Sequence, residues 1–167
     1  MNRKFIEGNY IIMIQRIQTL YLLMAVVFST ITLFSPVAGL QNVQDAAIYE
    51  LSYQGLYLLS SSGNSLMANT WLLTAMMVII PILSFITIFL FKKRLLQIRL
   101  IFFNIVLMAG YYGLLFIYLW QLGKSLEATK FLEIVSAFPL VCIVLNFLAI
   151  RAIGKDEALI KSLNRIR

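Results

Sequence analysis

Histidine is absent from this chain and cysteine occurs once, at Cys142. The first absence excludes imidazole ligation of haem, zinc or copper, and histidine acid–base chemistry with it. A lone cysteine can close no internal disulfide and form no CxxC redox pair. Cys142 lies in an apolar run, where it reads as a small buried hydrophobe. Charge is scarce too: Asp, Glu, Lys and Arg make up 13% of the 167 residues, against about 25% in a soluble domain. What fills the chain is hydrophobic, at 61% of residues and a mean hydropathy of +0.89. That excess is too large for a soluble core, and it excludes disorder, which needs low hydrophobicity and high charge. Four spans of about 20 residues would use roughly half the chain, so the sequence reads as an integral membrane protein.

Long apolar runs occupy Ile17–Leu40, Thr70–Phe91, Leu100–Leu122 and Leu132–Ile150, the last with Glu133 at its very start. Each is long enough to cross a hydrocarbon core of about 30 Å as a helix. Lysine and arginine set the direction. Arg3, Lys4 and Arg16 precede the first run; Lys92, Lys93, Arg94 and Arg99 link the second to the third; Arg151, Lys155, Lys161, Arg165 and Arg167 follow the fourth. These are twelve of the fourteen basic residues, and only Lys124 and Lys130 lie elsewhere. The positive-inside rule therefore puts both termini and the second connection in the cytoplasm. Trp71, Tyr118 and Trp120 fall where the outer aromatic belt would be. Val37-Ala38-Gly39 offers a signal-peptide cleavage site, but the run before it exceeds a signal core of about 7–15 residues.

The expected fold is one membrane domain over residues 1–167: an all-α integral-membrane bundle of four transmembrane helices. A small β-hairpin is expected in the first outer loop, 41–69, and an amphipathic cytoplasmic helix in the tail, 151–167. The hairpin rests on alternation, with Tyr49, Leu51 and Tyr53 opposed to Glu50, Ser52 and Gln54. Leu56–Ser60 would be its second strand after a break at Gln54-Gly55, and Ser60–Ser65 reads as a flexible linker. Four spans with a β-containing first outer loop are similar in shape to the claudin arrangement, without that family's cysteine pair and tryptophan signature. In the tail, Ile153, Leu159, Ile160, Leu163 and Ile166 keep helical spacing, with Lys155, Glu157, Lys161 and Arg165 on the other side. Such a basic amphipathic helix is expected to lie on an anionic leaflet, with docking to a cytoplasmic partner as the second reading.

Three cytoplasmic segments together carry a family resemblance. Met13-Ile-Gln-Arg-Ile-Gln-Thr-Leu-Tyr-Leu-Leu23 opens the first span, and Lys92-Lys-Arg-Leu-Leu-Gln-Ile-Arg-Leu100 followed by Phe103-Asn104 joins the middle two. Leu148-Ala-Ile-Arg-Ala-Ile-Gly-Lys-Asp-Glu-Ala-Leu-Ile-Lys-Ser-Leu-Asn-Arg-Ile-Arg167 closes the chain. From Met13 to Arg167 the sequence resembles the bacterial membrane family called domain of unknown function 4293; Met1–Ile12 departs from its pattern. The resemblance implies a bacterial inner-membrane setting and supplies no activity, substrate or catalytic residue.

Inside the spans the chemistry is neutral. No residue that titrates near neutrality sits there, which leaves no proton relay or buried carboxylate pair. Asn104 and Asn146 each lie five residues inward from a boundary arginine, about 7–8 Å deep. They are expected to bond across helix interfaces, either as packing glue or as a polar subsite. Pro36, Pro81 and Pro139 each free the carbonyl four residues earlier, at Thr32, Met77 and Val135. Tyr111 and Tyr112 fall mid-span and need partners. The Met77 carbonyl is the expected acceptor, linking the third span to the second.

The leading functional expectation is a non-enzymatic accessory or scaffold subunit that uses its outer loop and basic tail. The alternative is a lipid- or apolar-ligand-handling protein with a cavity in the cytoplasmic half, among Asn104, Tyr111, Tyr112 and Asn146. Expected partners are the bilayer, anionic lipid headgroups near Lys92, Lys93, Arg94, Arg99, Arg151 and Lys155, and a membrane or cytoplasmic protein. The tail has no stacking aromatics for nucleic acid. No cofactor or metal is called for. Asp45, Glu50, Glu127, Glu133, Asp156 and Glu157 are scattered on loops and ends, and no phosphate-cradling glycine loop appears, so an enzyme is disfavoured.

Overall fold

The computed structural model describes the backbone of residues 3–42, 47–59 and 65–165; side chains are described from 17 to 158 within those stretches, 92 excepted. Pro36 decides where the first helix stops. Helix α1 (Arg3–Phe34) ends two residues before it, because proline has no N–H for the helical ladder and its ring clashes with the carbonyl four residues back. So Pro36 terminates a helix and does not kink one. Val37, Ala38 and Leu40, which prolong the apolar run in sequence, are fully buried but belong to a sheet and the chain that enters it.

That sheet overturns the expectation of an all-α chain with a small hairpin. Five antiparallel strands, β1 (Ala38–Asn42), β2 (Ala47–Ser52), β3 (Gly55–Leu59), β4 (Ser65–Ala68) and β5 (Thr129–Leu132), are ordered β4-β3-β2-β1-β5. The expected hairpin is its β2–β3 pair, with Leu51 opposite Leu56. Gly55 is required there: its φ is +137°, and a Cβ would sit 2.5 Å from the Ala68 carbonyl oxygen. Part of the expected linker is β4, which pairs with β3; residues 60–64 of it lie outside the described residues. β5 comes from the third connection and pairs with β1, Gly39 opposite Phe131. The Phe131 ring lies over Gly39 where a Cβ would otherwise be.

Helices α2 (Trp71–Phe89), α3 (Arg94–Ser125) and α4 (Phe138–Arg165) complete the bundle, with short 3₁₀ turns at Leu90–Lys92 and Ile134–Ala137. α1 packs on α2 and α4, and α3 on α2 and α4. All four helices are long and apolar enough to cross a membrane. Large apolar side chains also point outward along them, among them Phe85, Phe102, Phe116 and Phe147, as expected of helices surrounded by lipid.

Sheet and helices share one core. Ala38, Leu40, Tyr49, Leu51 and Leu56 form a buried cluster continuous with Leu73, Met77, Met108, Tyr111, Leu115 and Leu119. Polar ties fix the junction. The Thr74 hydroxyl donates to the Tyr53 carbonyl at the β2–β3 turn. The Asn42 amide donates to the Leu126 carbonyl at the end of α3, at 3.1 Å. That end closes through the Ala128 N–H bonded to the Gly123 carbonyl at 3.1 Å, with Glu127 at φ +48°, the six-to-one bond of a Schellman turn whose left-handed position is usually glycine.

The opposite, basic end has its own small core: Leu22, Ile101, Ala149 and Ile153. Here the tail also departs from expectation. α4 runs from the fourth apolar run through to Arg165 without interruption, so the tail is no separate helix, and Ile153 is buried against Leu22 and Ile101. The side chains of residues 159–167 lie outside the described ones.

Candidate functional site

A ladder of polar contacts climbs the bundle interior from the basic end. At its foot the Gln18 side-chain amide (α1) donates to the Asp156 carboxylate (α4), and both residues are buried. Arg94, at the start of α3, acts on that carboxylate by charge. Sequence reading missed this cluster, since a glutamine and an aspartate at the boundaries of the apolar runs look like residues facing water. One turn deeper, the Gln97 amide donates to the Thr87 carbonyl at 3.2 Å, a carbonyl in the last turn of α2 that also accepts the Leu90 N–H.

Next come the two predicted asparagines. The Asn104 amide donates to the Ser84 hydroxyl across the α3–α2 interface at 2.6 Å. The Asn146 amide reaches the Met108 sulfur across the α4–α3 interface at 3.7 Å. Met108 stands one turn beyond Asn104 on α3, so the asparagines converge on one stretch of that helix. Both are buried, and the carbonyl oxygens of both side chains lack a hydrogen-bond partner among the described residues. The Cys142 thiol donates to the Ala25 carbonyl at 3.4 Å and, being wholly buried, behaves as the small hydrophobe expected.

The tyrosines divide the roles expected of them. Tyr112 finds backbone partners, but at the junction of the 3₁₀ turn with α4 and not at Met77 of α2. Its hydroxyl donates to the Ser136 carbonyl at 2.6 Å and accepts the Leu140 N–H at 3.0 Å. Those two groups are four residues apart and would bond each other in an unbroken α-helix. The phenol is thus spliced into the first turn, where the 3₁₀ segment passes into α4. The Val135 carbonyl, which Pro139 cannot serve, is taken up by the Phe138 N–H. Tyr111 stacks edge-on against Tyr112, with centroids 5.6 Å apart, and its buried hydroxyl lacks a hydrogen-bond partner among the described residues. A cavity of about 10 Å³ lies beside it, lined by Ser29, Thr32, Met77, Ile80, Tyr111 and Pro139. Asn104, Tyr112 and Asn146 do not line it, so the four predicted residues do not enclose one site.

A family comparison identifies the domain of unknown function DUF4293 over residues 14–166. The chain belongs to the DUF4293 family. No curated protein matches it. The matched stretch takes in all but Met13 and Arg167 of the three segments that carried the resemblance, the five described strands and the four apolar spans.

On the outside of this DUF4293 protein the predicted cations separate into two kinds. Lys93, Arg99, Arg151 and Lys155 are exposed at the basic end, whereas Arg94 is half-buried beside Asp156; the Lys92 side chain lies outside the described residues. Among the described residues no three potential metal ligands gather. At the other end, the face of the sheet turned away from the helices carries Ile48, Leu59, Leu66 and Phe131, all exposed. Pairing joins Gln41, Ile48 and Leu59 in one cross-strand row and Phe131, Gly39, Glu50, Tyr57 and Leu66 in the next.

Proposed function

We propose that this DUF4293 protein is a multi-pass protein of the bacterial inner membrane, with both termini cytoplasmic, acting as a non-enzymatic accessory or scaffold subunit. The observation that carries the reading is the outward face of the sheet. Five strands drawn from two connections form a broad surface, and Ile48, Leu59, Leu66 and Phe131 stand exposed on it among Gln41, Glu50 and Tyr57, away from the helices that a membrane would cover. Exposed apolar area of that kind marks an interaction surface. The interior supports the same reading, since the cavity beside Tyr111 is far too small for a lipid. Lys93, Arg99, Arg151 and Lys155 form the cytoplasmic rim, suited to anionic headgroups at about 1 kcal/mol per basic residue near the surface.

The test is purification of the tagged full-length protein in mild detergent, with mass spectrometry of what stays bound. A reproducible protein partner that is lost with Ile48→Ser plus Leu59→Ser, while the protein keeps its elution profile, is the expected result. One retained lipid species and no protein would replace this reading with ligand handling.

A further inference from the structure

Helix α3 is long enough to cross a whole bilayer, headgroups included. Lys124 lies thirty residues after Arg94, about 45 Å along the axis at about 1.5 Å per residue, against about 40–45 Å for a bilayer with both polar layers. With Arg94 in the headgroup layer at the basic end, Lys124 stands in the opposite one. One face of that far end is a stripe at helical spacing, Ile117, Trp120, Gln121, Lys124 and Ser125, and these five residues line an open recess of about 490 Å³. A recess of that size is within the range of small-ligand sites. Ile117 and Trp120 are 57% and 64% exposed. Gln121, Lys124 and Ser125 have no hydrogen-bond or ionic partner among the described residues. The stripe is graded: apolar at Ile117, amphipathic at Trp120, polar and positive over the last turn. From Ile117 to Ser125 is about 12 Å, enough to run from the hydrocarbon edge through one polar layer of about 5–8 Å.

We infer that this recess binds the headgroup of an anionic glycerophospholipid. The Lys124 ammonium meets the phosphate, and the Gln121 amide and Ser125 hydroxyl supply further donors. Trp120 packs beside the glycerol, with its ring where the apolar and polar layers meet, and Ile117 takes the first methylenes of a chain. Of the two lysines at this end, Lys130 lays its stem over Gly123, while Lys124 lines the recess. Lys124 brings one positive charge with no carboxylate bound to it among the described residues, so a headgroup with one net negative charge is favoured over a zwitterionic one. The site lies on the outside of α3. It rests on the multi-pass part of the proposed function and not on the accessory role.

The experiment uses Trp120 as the reporter. Full-length Trp71→Phe, in which Trp120 is the one tryptophan left, is reconstituted in phosphatidylcholine bilayers. Quenching of its fluorescence is then titrated with phosphatidylglycerol or phosphatidylcholine whose chains are brominated near the headgroup. The expected result is that phosphatidylglycerol competes for the position beside Trp120 about five-fold better, the equivalent of about 1 kcal/mol for one basic residue at the surface. That preference should fall to parity in Lys124→Gln and persist in Lys93→Gln, at the other end of the bundle. Equal quenching by the two lipids, or a preference that survives Lys124→Gln, overturns the lipid site and leaves the membrane reading standing. Absence of quenching by either lipid puts the end of α3 outside the bilayer and overturns both. If Trp71→Phe does not fold, the wild type compared with Trp120→Phe gives the same signal by difference.

Discussion

Replacing Gly39 by alanine should cost stability only while Phe131 is present. A Cβ at position 39 would overlap the Phe131 ring, so the ring must swing away from β1. Phe131 is 41% exposed, so the displaced contact is somewhat over half of its burial. At about 1.5–3 kcal/mol for a fully buried phenylalanine, the loss is about 1–2 kcal/mol. Alanine regains about 0.5–1 kcal/mol over glycine in a strand through backbone entropy. Gly39→Ala alone should therefore destabilise by about 0.5–1 kcal/mol. In a Phe131→Ala background the same change should stabilise by about 0.5–1 kcal/mol, a sign reversal with a coupling of about 1–2 kcal/mol. Equilibrium unfolding of the four proteins in mixed micelles measures the cycle. Effects that add within about 0.5 kcal/mol would refute the reasoning, because the ring could not then be resting on Gly39.

Four further outcomes are expected. Glu127→Gly should stabilise by about 1 kcal/mol in the same unfolding assay, since glycine occupies the left-handed C-terminal position of α3 without strain. Tyr112→Phe should destabilise by about 1 kcal/mol and change hydrogen exchange at the Leu140 amide, which loses its phenolic acceptor; an unchanged amide would argue against the splice. Asp156→Ala should lose about 1.5–3 kcal/mol, as it strips the Gln18 amide and Arg94 of a charged partner, while Asp156→Asn should retain the Gln18 bond and lose less. Cysteine placed at Lys93 or Arg151 should react with an impermeant maleimide only from the cytoplasmic side, and at Lys124 only from the other; Cys142 is buried and should stay silent. Labelling of Lys93→Cys and Lys124→Cys from one side would break the proposed topology.

The four helices were legible because apolar runs of span length leave few alternatives, and β2 and β3 because Tyr49–Gln54 alternates. The other strands were hidden for separate reasons. β1 is camouflaged, since Val37, Ala38 and Leu40 continue the apolar run of α1 and only Pro36 divides them. β4 has four residues behind a serine-rich stretch, too few for alternation to register. β5 has no partner nearby in sequence, and Thr129–Leu132 acquires a strand's role only because α3 returns it to β1. At the candidate site, burial of Asn104 and Asn146 followed from their position within spans, whereas their partners Ser84 and Met108 depended on helix rotation. Tyr112 was expected to find a backbone acceptor and did, but at Ser136, a carbonyl that no proline frees and that only the 3₁₀ turn before α4 leaves open to α3.

The pairing of β1 with β5 also has a consequence for the order of biosynthesis. β1 leaves the ribosome soon after α1, but its outer neighbour follows only once α2 and α3 have been made. Until then the edge of β1 is open, with Gly39 uncovered. Arrival of Phe131 closes the edge when three helices are in place and the fourth is about to begin. Completion of the sheet therefore depends on α3: a chain in which that helix does not return β5 to β1 is left with an exposed strand edge, open to pairing with another chain.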